Sequence, residues 1–184
     1  LHLKNASFST IKEVASQIKN AKKPVILLGG GLSAYKTWSL ENILNNQEIP
    51  IMTTWNGSDR YGSNHENYFG RPNTWGMRYS NIVLQNSDYL LALGTRLGLQ
   101  QTGFNWREFI PNGEVVQVDI DPLELNKANP NIKKGIEADA NDFLEKLLTF
   151  ELGKHDEWLN CCSKIKRLLP LSESINSTPE GYLN

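Results

Sequence analysis

The feature that most constrains this chain is Pro24-Val25-Ile26-Leu27-Leu28 running straight into Gly29-Gly30-Gly31-Leu32-Ser33. Four consecutive apolar residues, bounded by Pro and by three glycines, read as a short strand buried on both faces. The glycines let the backbone turn tightly and approach another group closely, because a residue without Cβ tolerates positive φ. A helical stretch through Trp38, Ile43 and Leu44 follows. Strand, glycine turn and helix open a doubly wound domain, whose strand ends are where nucleotides lie.

The alternation continues. Thr10-Ile11-Lys12-Glu13 forms a capping box, with Ile11, Val14, Ala15, Ile18 and Ala21 on one helical stripe behind it. A second strand is expected over Ile49 to Thr54, then a long polar, glycine-rich passage from Trp55 to Asn73 of a length that is usually functional. A helix is expected over Thr74 to Asn86, with Trp75, Tyr79, Ile82 and Val83 facing inward. Further strands are expected over Asp88 to Thr95, over Glu114 to Pro122 and around Ile136, and a helix over Ala140 to Leu148. Together these predict an α/β domain of three layers, a doubly wound, Rossmann-like parallel sheet of five or six strands with helices on both faces. Residues 1–150 form that domain. Residues 151–184 read as an amphipathic helix (Glu157 to Leu169, with Trp158, Leu159, Ile165 and Leu168 inward) and a linker rich in Ser, Asn and Pro. The start at Leu1 without Met and the end at Asn184 suggest a piece of a longer protein.

Hydrophobic residues make up 39% and charged ones 21% of 184, the balance of a folded soluble chain. A net charge of −1 offers no basic excess for nucleic acid. No apolar run reaches membrane-span length and no signal-peptide pattern opens the chain, so no membrane role is expected and the cytoplasm is the expected location. Cys161 and Cys162 are adjacent, and His2, His65 and His155 are scattered, so no metal site is expected.

Gly29-Gly30-Gly31-Leu32-Ser33-Ala34 fits the G-x-G-x-x-(G/A) dinucleotide pattern. The second strand ends in Thr53-Thr54-Trp55 without the carboxylate that would hold a ribose, which weighs against a dehydrogenase-style NAD site. Gly94-Thr95-Arg96 places a cation past the third strand, suited to phosphate or a flavin's electron-rich edge. Asp119, Asp121 and Asp139 could accept hydrogen bonds from ribose or adenine groups, although Asp121-Pro122 equally well starts a turn. No catalytic set is present: Ser33 lacks the second glycine of a nucleophile elbow, and His65 and Glu66 sit in a polar loop.

The order of motifs carries a resemblance. The buried strand into Gly-Gly-Gly is followed by Pro50-Ile51-Met52-Thr53-Thr54, Gly70-Arg71 and Gly76. Asp88 to Arg96, Thr102-Gly103, Val118-Asp119-Ile120-Asp121-Pro122 and Ala138-Asp139-Ala140 come after. This resembles the central domain of thiamine-diphosphate-dependent enzymes, most closely the acetolactate synthase large subunit, over roughly Ala6 to Leu148. Glu180 to Asn184 resembles the entry into that family's next domain. The resemblance implies a pyrimidine-binding domain before this segment and a diphosphate-binding domain after it, which hold thiamine diphosphate and Mg²⁺. This chain itself contains no Gly-Asp-Gly. It implies a parent transferase or lyase, a homodimer or tetramer, that decarboxylates a 2-keto acid such as pyruvate and joins the remainder to a second carbonyl. The segment in hand would be non-catalytic, supplying packing, subunit contacts and, in several members, a flavin site. The resemblance places cofactor-binding positions at Gly30, Gly31, Thr54, Gly70, Gly94, Arg96, Gly103, Asp119 and Asp139.

In flavin-binding relatives the Gly-x-Arg strand end continues as Phe-Asp-Asp-Arg-x-Thr-Gly. Here it reads Leu97-Gly98-Leu99-Gln100-Gln101-Thr102-Gly103. Arg96 and Gly103 are kept, whereas two carboxylates and an Arg are replaced, each worth about 1.5–3 kcal/mol as a charge-assisted hydrogen bond. The expectation is a crevice that admits FAD but binds it weakly. Two other readings stand beside this one: a free-standing NAD- or nucleotide-binding module, and an interaction domain with a vestigial crevice.

Overall fold

The computed structural model describes residues 4–128 and 130–170. Five strands form one all-parallel sheet in the order β2-β1-β3-β4-β5: β1 (Pro24–Leu28), β2 (Ile51–Thr53), β3 (Tyr89–Leu93), β4 (Glu114–Asp119) and β5 (Lys134–Glu137). This is the doubly wound arrangement expected, with β1 in register against β3 along its whole length, Pro24 opposite Tyr89 and Leu28 opposite Leu93. Every residue of β1, β2 and β3 is buried, as strands covered on both faces must be.

Alternate residues of β1 feed two cores. Ile26 and Leu28 face α1 (Phe8–Asn20) and α7 (Ala140–Leu147), where Ile11, Val14, Ile18, Phe143 and Leu147 are buried. Val25 and Leu27 face α4 (Arg78–Gln85) and α8 (Asp156–Leu168), where Val83, Trp158 and Cys162 are buried. Each fully buried Leu or Ile contributes about 1.5–3 kcal/mol relative to exposure. The α8 helix is tied to the first strand, Trp158 Nε1 donating to Pro24 O at 3.2 Å. Its Lys166 Nζ donates to Tyr68 O at 2.7 Å and lies 5.4 Å from the Phe69 ring centroid.

A sixth strand is present only as a single parallel bridge, Ile51 to Tyr68. Residues 67–70 run along the outer edge of β2: Ile51 N donates to Asn67 O, Phe69 N to Ile51 O and Thr53 N to Gly70 O. Part of the long polar passage thus covers a sheet edge that would otherwise expose unpaired backbone groups.

Four local expectations are corrected. The first helix begins at Phe8, with Ser7 Oγ accepting from Thr10 N at 3.1 Å. Thr10 therefore lies inside the helix, and Glu13 pairs with Lys134 at 2.6 Å. A hydroxyl at Ser7 satisfies the same orphan donors one turn earlier, a choice that local pattern leaves open. The helix expected from Thr74 begins at Arg78, because Asn73 closes a turn first, its Oδ1 accepting from Trp75 N at 2.7 Å and its carbonyl from Gly76 N at 2.9 Å. Trp75 and Ile82 consequently point outward rather than into the core. Leu168, expected inward, is exposed in the last turn of α8. The helical stretch after the glycine turn divides at Leu40 into α2 (Ala34–Ser39) and α3 (Glu41–Asn45). The remaining short helices, α5 (Leu99–Thr102) and α6 (Pro122–Leu125), follow β3 and β4. The expected linker and domain entry after Pro170 lie outside the described residues.

Candidate functional site: a crevice at the switch point

The chain leaves β1 for β2 on one side and returns to β3 on the other, so their carboxyl ends diverge, the place where open α/β sheets bind ligands. The turns after these two strands are joined directly. Gly29 N donates to Leu93 O at 2.8 Å, Gly31 N to Gly94 O at 2.8 Å, and Gly94 N reaches Val118 O at 2.9 Å. A Cβ on Gly29 would lie 2.2 Å from Gly94 O, and Gly94 itself has φ +59°. Glycine at both positions is what allows two loops to touch.

Between these turns and the 54–56 and 73–75 segments opens a crevice of about 760 Å³, within the usual range of small-molecule sites. Of the residues expected to hold a cofactor, Gly30, Gly31, Thr54, Gly94, Arg96 and Asp119 line it together. Three others stand elsewhere. Gly70, at φ +76°, offers its carbonyl to Thr53 N. Gly103 caps α5 at φ +79° in open space. Asp139 caps α7, Oδ1 accepting from Asn141 N at 2.8 Å and from Asn141 Nδ2 at 2.9 Å. Asn141 Oδ1 in turn accepts from Ser33 N at 2.7 Å, so Asp139 steadies the end of the first glycine turn from a distance. Asp121 caps α6, with Pro122 at its first position.

The charged groups at the crevice are held differently. Asp119 is 9% exposed at the end of β4, and its Oδ1 accepts from Asp121 N at 3.0 Å. Arg96 extends its side chain into solvent, its Nε 3.7 Å from Glu124 Oε1, a separation at which an exposed pair holds little. Lys127 pairs with Glu124 at 2.9 Å and donates to Arg96 O, anchoring the backbone there. Next to this turn Gln117 is fully buried: Nε2 donates to Thr95 O at 2.9 Å, and Oε1 is without a hydrogen-bond partner among the described residues. Leu97, also buried, adopts φ +48° as the chain climbs over it.

Sequence reading missed several residues here. Trp55 and Trp75 stand together on the crevice wall, ring centroids 6.1 Å apart, and both border a second cavity of about 400 Å³ with Arg71, Gly76 and Met77. Two tryptophans in an otherwise polar loop were the available signal. Arg60 is the other. Its Nε donates to Leu32 O at 2.5 Å and its Nη2 to Gly30 O at 3.3 Å, while Nη1 pairs with Asp59, so it clasps the glycine turn from behind. An arginine thirty positions along the chain carries no local mark of that contact.

The crevice offers an acceptor at Asp119, a cation at Arg96 and two indole faces, a set suited to binding; the described residues that line it include no His, Cys, Lys or Ser. Among the described residues no group of three or more His, Cys, Asp or Glu side chains is placed to hold a metal ion. No helix among them is long and apolar enough to cross a membrane.

The sheet order and the crevice at its switch point define an α/β domain of the Rossmann-like class. A family model described as "Thiamine pyrophosphate enzyme, central domain" matches residues 11–147, and the chain belongs to that family. Relatives include an acetolactate synthase of Mycobacterium leprae, 30% identical over 91% of this chain and 28% of the relative. A probable acetolactate synthase large subunit of Methanocaldococcus jannaschii is 31% identical over 86% of the chain and 27% of its own length. The acetolactate synthase isozyme 1 large subunit of Escherichia coli K12 is 30% identical over 89% and 29% respectively. The chain thus spans less than a third of the length of these relatives.

Proposed function

We propose that this chain is the central domain of a thiamine-diphosphate-dependent transferase or lyase of the acetolactate synthase type, acting on pyruvate or a related 2-keto acid. The observation that carries this reading is the direct joining of the Gly29–Gly31 and Gly94 turns at the β1/β3 switch point, inside the stretch matched by the family. Flanking pyrimidine-binding and diphosphate-binding domains of the same chain hold the cofactor and Mg²⁺. Bound there, thiamine diphosphate supplies the electron sink that decarboxylation of a 2-keto acid requires. The residues described here supply the frame: α1, α4, α7 and α8 fix the sheet, and the glycine turns present the crevice. The working enzyme is a cytoplasmic homodimer or tetramer.

The crevice residues fit a flavin dinucleotide in part. Its volume is adequate, Asp119 supplies an acceptor suited to ribose hydroxyls and Arg96 a cation suited to phosphate, while Gly98, Leu99 and Gln100 stand where the flavin-binding pattern has charges. This domain therefore binds FAD weakly.

Calorimetric titration tests the assignment. The 184-residue chain takes up no thiamine diphosphate with Mg²⁺, whereas the longer protein containing it binds the cofactor and releases CO₂ from pyruvate. Saturable tight binding by the chain alone, or an inert longer protein across 2-keto acids, overturns the reading.

A further inference from the structure

Trp55 and Trp75 leave 53% and 62% of their surface exposed while touching each other. Contiguous exposed aromatic surface beside a cavity is a mark of a binding surface, whereas apolar side chains scattered singly are not. The backbone under both is fixed. Thr54 N donates to Leu28 O at 3.0 Å, rooting Trp55 at the end of the sheet. Trp75 is held on both sides, its own N–H on Asn73 Oδ1 and the N–H of Thr74 on Gln100 O at 2.8 Å. The two rings are the shared wall between the 760 Å³ crevice and the 400 Å³ cavity that Arg71 and Met77 help to line. The charged end of the crevice, at Asp119 and Arg96, serves the polar part of a ligand. The indole wall serves a flat one.

We propose that Trp55 and Trp75 form a stacking platform for the planar heteroaromatic ring of the dinucleotide, so that in this chain ring recognition rests on aromatic contact rather than on charge. This rests on the crevice reading above and deepens it. Stacking on a pre-positioned indole tolerates variation in the ring and is insensitive to salt, unlike a charge-assisted contact.

The test titrates the 184-residue chain with FAD, FMN and ADP, following flavin fluorescence for the first two and heat for the third, at low and high KCl. FAD and FMN are expected to bind, and the loss on removing either indole is expected to be the same at low and high salt, because phosphate contacts at Arg96 are common to parent and variant. Trp55→Ala and Trp75→Ala each weaken FAD and FMN by about tenfold and leave ADP unchanged, while Trp55→Phe and Trp75→Phe restore most of the loss. Melting curves of the alanine variants remain close to that of the parent chain, since both rings are largely exposed. Flavin affinities that stay within about twofold in both alanine variants, with ADP binding intact, overturn the platform and leave the crevice standing. A chain that binds neither ADP nor either flavin at millimolar concentration overturns the crevice and the platform together.

Discussion

The amide of Gly31 donates to the carbonyl of Gly94 across 2.8 Å, locking the turn after the first strand to the turn after the third. Because the contact is backbone to backbone, neither loop can yield to a side chain placed between them. Gly29→Ala, whose Cβ would fall 2.2 Å from Gly94 O and 2.6 Å from Thr95 Cβ, is expected to cost about 2–4 kcal/mol. Gly98→Ala meets nothing within 4 Å, at φ −72°, and is expected to be neutral or slightly stabilising. Urea unfolding midpoints of the two variants check the contrast.

The N-cap of the first helix gives a second comparison. Ser7→Ala removes the acceptor for Thr10 N and is expected to cost about 1 kcal/mol. Thr10→Ala removes only a hydroxyl contact to Ser7 at 2.8 Å and is expected to cost less. Equal losses in thermal melts would place the cap at Thr10 after all.

Stability is expected to fall on the alkaline side. Burial pushes the Tyr61 and Tyr89 phenols above their usual 10.0 and the Cys162 thiol above its usual 9.0. The folded state therefore keeps protons that the unfolded chain releases, and the stabilisation present below about pH 9 is lost as pH rises. Burial lowers the Lys166 pKa, which works in the opposite direction for that one group. Melting temperatures between pH 7 and 11 should decline, and Tyr89→Phe should decline less steeply above pH 10. It also gives up the hydrogen bond to Gln17 Oε1, at about 1 kcal/mol near neutrality.

Thiol labelling distinguishes the two cysteines. Cys161 is exposed and Cys162 is fully buried beside Trp158, both as free thiols. An aromatic disulfide reagent at pH 8 should label one thiol rapidly in the native chain and the second only in denaturant. Simultaneous labelling of both would show that α8 opens freely.

The purified 184-residue chain is expected to be colourless. Leu97-Gly98-Leu99-Gln100 supplies none of the charged partners that hold a flavin tightly. A visible absorbance band with near-stoichiometric flavin would contradict weak binding.

How much of this was legible in advance follows from the range of the forces involved. Burial on both faces and tight turning are properties of a few consecutive residues, so Val25 to Gly31 and Tyr89 to Gly94 are legible as two buried strands and their turns, whereas their pairing as neighbours is seen only in the sheet. The sheet class and most helices follow from the same local periodicity. Trp75 and Thr10 were misread because Asn73 and Ser7 compete for the same backbone donors, and the winner depends on what each segment then packs against. The site divides along the same line. Gly30, Gly31, Gly94, Arg96 and Asp119 sit at strand ends, where sequence alone places them. Their meeting with Trp55 and Trp75, the clasp of Arg60 on Gly30 and Leu32, and the reach of Asn141 to Ser33 were decided by the tertiary structure. Those contacts join residues about twenty to a hundred positions apart, and only closure of the sheet and its helices brings them within hydrogen-bonding or stacking distance.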